Sequence, residues 1–116
     1  MTASRTTASA LGGLILLSAC VDGSIDCPDI AATAAPLNLS EAQVEADQAA
    51  LRDVRDAGQL TALAGARAGQ GSTGAVADYV GALACPAINR RAISSKEKAV
   101  ALQSVTDSVY AALSND

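Results

Sequence analysis

The sequence contains no histidine, no tryptophan and no phenylalanine, and only two tyrosines and three prolines among its 116 residues. Each shortage excludes something. Without histidine the commonest general base and metal ligand is missing, so histidine-based triads and zinc sites with His ligands are ruled out. Almost no aromatic side chains remain on which sugars or nucleic-acid bases could stack. Basic residues are also in the minority: eight Lys and Arg stand against twelve Asp and Glu, a formal net charge of −4. Nucleic-acid binding needs a basic face for phosphate, so no nucleic-acid partner is expected. No G-x-S-x-G elbow or H-E-x-x-H is present. A catalytic site, a cofactor site and a metal site are therefore not expected.

What is present is chiefly alanine, 27 residues of it, four of them before Cys20. A length of 116 residues allows one domain. Leu, Ile and Val are sparse enough that its core must be thin. The first twenty residues read differently from the rest. A polar stretch with one positive side chain, Arg5, is followed by Ala10-Leu11-Gly12-Gly13-Leu14-Ile15-Leu16-Leu17, then by the small residues Ser18 and Ala19. These are the parts of a secretory signal peptide. The apolar run is far short of the roughly 20 residues that span a bilayer as a helix.

The segment Leu17-Ser18-Ala19-Cys20 resembles the lipobox of bacterial lipoproteins, in which a branched apolar residue and two small ones precede an obligatory cysteine. The resemblance covers only the signal peptide. It implies that residues 1–19 are removed and that Cys20 carries the lipid as the first residue of the mature chain. Two or more acyl chains anchor a protein stably, whereas one binds reversibly. Residue 21 is Val rather than Asp. By the sorting pattern of enterobacterial lipoproteins, this favours the outer membrane and a periplasm-facing location.

With Cys20 assigned to lipid, Cys27 and Cys85 remain. A secreted compartment permits disulfides, and two cysteines allow one pairing. That bridge would close a loop of nearly sixty residues, contributing roughly 4 kcal/mol in the chain-entropy model. Residues 20–39, with Pro28, Pro36 and three acids, read as an acidic tether, which fully extended would reach about 60–70 Å. A Cys27 bridge would shorten the free leash to residues 21–26.

Residues 40–116 read as a small all-α bundle of three or four helices. Ser40 and Gln43 suggest a capping box, with Leu39 and Val44 as a hydrophobic staple. Val44, Leu51 and Val54 share a helical face, Arg52 is placed to pair with Asp56 at i, i+4, and Gly58 is placed as a C-terminal cap. A second helical piece spans 59–68 and is read as a kinked continuation. Gly69, Gly71 and Gly74 spell G-x-G-x-x-G, but no strand precedes them and no acid stands twenty residues on, so a flexible linker is expected. Val76, Tyr79, Val80 and Leu83 form a clean helical stripe, ending at Cys85 because Pro86 disfavours helix in the residue before it. Tyr79 and Tyr110 read as packing residues. Ser94 and Glu97 make a second capping box, opening a last helix with Leu102, Val105, Val109 and Leu113 inside.

One basic cluster stands out: Arg90, Arg91, Lys96 and Lys98. It is a candidate contact for an anionic partner, although a solvated loop explains it as well. The function expected from the whole is a lipid-anchored envelope protein, non-catalytic, acting by contact with an envelope protein partner. The chain also resembles the outer spanin lipoproteins of phage lysis cassettes in its shortness, its lipobox and Cys27-Pro28. It departs from many of them in its few prolines and well-capped helices. A third expectation is a small lipid or apolar-ligand binding module, which would need a roomy cavity between helices.

Overall fold

The computed structural model describes residues 23–54 and 56–114. The expected signal peptide and Cys20 lie outside them. The described chain is all-α: five helices, α1 (Ile30–Ala34), α2 (Glu41–Ala50), α3 (Ala57–Arg67), α4 (Thr73–Asn89) and α5 (Ser95–Ser114). Two 3-10 turns, Ala35–Leu37 and Ala68–Gln70, follow α1 and α3. Among the described residues there is no strand, and no helix is long and apolar enough to cross a membrane.

Helix α4 is the axis of the fold. Val76, Ala77, Tyr79, Val80, Leu83, Ala84 and Ile88 are all buried, so the helix is covered on nearly every side. Helix α5 lies along it, adding Val109 and the partly buried Leu102, Val105 and Leu113. Helix α3 packs on both, through Leu60 and Ala64. At position 74 in the first turn of α4, a Cβ would sit 2.8 Å from the hydroxyl of Tyr110, a half-exposed side chain of α5.

The count exceeds three or four because the expected tether folds. Asp29 caps α1, accepting from the Ala31 amide at 3.2 Å. The helix and the turn after it bury Ala34 and Leu37 against α4. Asn38 then adopts the left-handed conformation, φ 55°, which Asn tolerates better than most residues, and the chain enters α2. No hydrophobic periodicity marks a five-residue helix, so this element leaves no clear signal in the sequence.

Helix starts follow the sequence more closely than helix ends. The Ser40 hydroxyl accepts from the Gln43 amide at 3.1 Å, but the Gln43 side chain turns to Asp47, leaving the box half made. At α5 the Ser94–Glu97 box is reciprocal. Gly58 is not a C-terminal cap. Helix α2 stops before Leu51, and Asp56 and Gln59 form a capping box that starts α3, placing Gly58 in its first turn. Two separate helices thus replace the kinked one, and Asp56 caps α3 instead of pairing with Arg52.

Pro86 does not end α4, which runs on to Asn89. The local preference is overridden because the last turn is anchored: Cys85 is bridged, Ile88 is in the core, and Asn89 is hydrogen-bonded to Ile25. The glycine-rich stretch is likewise a tight joint. Ser72 caps α4 through the Ala75 amide, and a Cβ on Gly71 would lie 2.5 Å from Leu37 Cδ2. Gly71 therefore serves close packing against the buried Leu37.

Candidate functional site

A buried carboxylate lies where α2, α3 and α4 meet. Asp47 is 4% exposed. Arg67 grips both of its oxygens, Nε to Oδ2 and one terminal nitrogen to Oδ1, each at 3.0 Å. The Tyr79 hydroxyl donates to Oδ2 at 2.7 Å, and the Gln43 amide donates to Oδ1 at 3.0 Å. Burial alone would raise the Asp47 pKa. The hydrogen bonds from Arg67, Tyr79 and Gln43, with the Arg67 charge, outweigh it and hold the carboxyl below its ordinary value. Burial, reinforced by the hydrogen bond to Asp47, pushes the Tyr79 phenol well up. Arg67 is raised by the same contact.

Chemically this is a charged, saturated centre. Each carboxylate oxygen accepts two hydrogen bonds, which leaves little capacity for a substrate proton. Its work is to fasten α2, which is absent from the closely packed helix pairs of the described chain. Sequence reasoning missed it. One signal was available: Asp47 sits between Val44 and Leu51 on the apolar face of α2, where an acid demands a partner. The partners, 20 and 32 residues away, carry no mark of the pairing.

A second constellation sits at the far end of α4. Cys27 and Cys85 are disulfide-bonded, as expected. The Asn89 side chain accepts from the Ile25 amide and donates to the Ile25 carbonyl, both at 2.9 Å, with a further contact to Cys27 Sγ at 3.3 Å. Gly23 lies against the Ile93 carbonyl and the Lys98 ammonium. The described chain is thus clamped to α4 from its first residues.

The basic cluster is redistributed. Lys98 is 5% exposed and donates to the Asn89 carbonyl at 2.9 Å, a cation at the C-terminal end of α4. It is not available to an external anion, because its ammonium is spent on a helix end that lacks intrahelical partners. Arg90, Arg91 and Lys96 are exposed. Arg90 donates to the Arg52 carbonyl, which brings in a third arginine that sequence proximity did not suggest. Arg52, Arg90 and Arg91 line a concavity of about 230 Å³ with Asp53, Val54 and Ala87. Among the described residues, the Asp47–Arg67 contact is the ion pair, and none engages these three arginines.

Next to the concavity is an apolar cleft of about 200 Å³, lined by Val54, Leu60, Ala84, Ile88 and Val105, with Asp56 and Arg91 at its edge. Small-molecule pockets typically span about 300–1,000 Å³, so this cleft suits a short apolar segment better than a whole ligand. A shallow groove of about 460 Å³, lined by Ala31, Ala34, Leu39 and Val44 between Glu41 and Glu45, separates α1 from α2. No group of three or more His, Cys, Asp or Glu side chains among the described residues could hold a metal. No family model, no curated protein and no solved structure matches the chain.

Proposed function

We propose that this is a lipid-anchored protein of the bacterial cell envelope, outer membrane favoured, that works by contact rather than by catalysis. The observation that carries the reading is Leu17-Ser18-Ala19-Cys20 at the end of a signal-peptide-like segment. Two features support it. A disulfide joining Cys27 to Cys85 suits an oxidising compartment. The buried acid is committed to Arg67, Tyr79 and Gln43, which favours a structural role over a catalytic one for this perturbed carboxylate.

The test of anchoring is metabolic labelling with radioactive palmitate, followed by membrane fractionation. The parent protein is expected to take up label and to sediment with membranes, while Cys20→Ala abolishes the label and releases the protein. An unlabelled parent, or a Cys20→Ala protein that stays membrane-bound, would overturn the reading. Crosslinking in intact envelopes with mass spectrometry then identifies the protein partner.

A further inference from the structure

With Cys27 bridged, the expected free leash is residues 21–26, and the fold shortens it further. Gly23 packs against the Ile93 carbonyl, Ile25 is held by Asn89, and Cys27 is bonded to Cys85. Three residues of chain reach at most about 11 Å. Cys20 is therefore within about 11 Å of Gly23, however residues 21 and 22 run. Gly23 itself lies at the α4–α5 connection, beside Lys98. A lipid on Cys20 accordingly holds this end of the bundle at the bilayer surface.

This is also the end where the arginines converge. Arg90 reaches across to the Arg52 carbonyl, and Arg91 follows it. Their shared concavity of about 230 Å³ contains one acid, Asp53, so positive charge is in excess there. Val54, Ala87 and Arg91 also line the neighbouring apolar cleft. A charged rim opening onto an apolar floor fits a molecule with an anionic head and hydrocarbon next to it.

We infer that the α4–α5 end is the membrane-facing surface, and that Arg52, Arg90 and Arg91 hold the phosphate of an anionic phospholipid there. The inference rests on the lipid-anchor reading for its orientation. The binding itself does not need the anchor, so the two are tested separately. In this arrangement the headgroup phosphate sits in the arginine concavity, and the first carbons below it meet Val54, Ala87 and Ile88. Lys96, exposed on the first turn of α5, adds to the same field.

The experiment uses the chain from residue 20 onward with Cys20→Ser, which carries no lipid and keeps the whole described body. Its binding is measured by co-sedimentation with phosphatidylcholine vesicles and with vesicles in which phosphatidylglycerol replaces part of that lipid. Binding is expected only to the second kind, weakening at high salt as surface charge is screened. Each basic group near an anionic surface contributes about 1 kcal/mol, so each charge removed lowers the partition coefficient about fivefold. Arg52→Gln with Arg91→Gln should reduce binding about 25-fold by the same arithmetic, with helical circular dichroism unchanged. Arg90→Gln serves as a third variant, kept separate because Arg90 also ties α2 to α4. Equal binding to both vesicles, or a double variant that binds like the parent, overturns the proposal. Failure of palmitate labelling would remove the anchor without altering these readouts.

Discussion

Helices α2 and α4 are fixed in the same small body by opposite means. Helix α4 is apolar nearly all round and is held by Val, Leu, Ile and Ala against α3 and α5. Helix α2 brings Val44 and Leu51, but its centre is an acid, fastened by an arginine from α3 and a tyrosine from α4. The segment before it is fastened by a disulfide and an asparagine. A chain this rich in alanine cannot cover every helix with large side chains. Specific cross-links then attach the N-terminal part to a body that packs without them. Stability is expected to divide along that line.

Opening the disulfide has the largest expected effect on this division. Its closed loop contributes about 4 kcal/mol in the chain-entropy model. Cys27→Ala with Cys85→Ala should lower the unfolding free energy by that order in urea titrations. By hydrogen exchange, the amides of α1 should lose protection before those of α4 and α5. Uniform loss across all helices would show that the two regions are one cooperative unit.

Next in size is Asp47→Ala, which leaves the Arg67 guanidinium and the Tyr79 hydroxyl without their acceptor. Breaking a buried pair from one side costs about 3–5 kcal/mol. Because Arg67 keeps some solvent contact, about 3 kcal/mol is expected in chemical denaturation. The same residue sets an acid limit. Its native pKa lies below the ordinary aspartate value of 3.8. Its contribution is therefore complete above that value and is lost as pH falls through the lower native pKa. In Asp47→Asn this part of the acid sensitivity should disappear. At the other extreme, Tyr79 has a raised pKa, so its contribution is complete below its ordinary value of 10.0 and is lost as pH climbs further.

Smaller changes sharpen the division. Tyr79→Phe keeps the ring in the core and removes one hydrogen bond to a charged acceptor. It should cost about 2 kcal/mol in urea titrations, and the pH-jump loss above 10.0 should vanish with it. Ser40→Ala removes the cap of α2 and should cost about 1 kcal/mol, read as faster exchange in the first turn of α2 with α5 unchanged.

The all-α class was legible because helix signals are local. Ser40, Ser94 and Glu97 announce starts within four residues, and the stripe from Val76 to Leu83 announces a buried face. Helix ends were less legible. Gly58 and Pro86 carry the local chemistry of stops, yet Asp56 supplies a stronger start beside the first, and burial of Ile88 carries α4 past the second. The disulfide followed from counting. The Asp47 centre did not, because its partners are set by tertiary contact alone. The basic cluster divides in the fold: adjacency in the sequence grouped Lys98 with Arg90 and Arg91, while the fold buries Lys98 and brings the Arg52 backbone to Arg90.

Under the lipid-anchor proposal, Cys20 is the lipid-bearing first residue of the mature protein, three residues before the clamped helical body begins. Mass spectrometry of the N-terminal peptide from protein extracted out of bacterial membranes tests it most directly. The expected peptide begins at Cys20 and carries a diacylglycerol, with or without a further acyl group. A mature chain that begins elsewhere, or an unmodified Cys20, would contradict it.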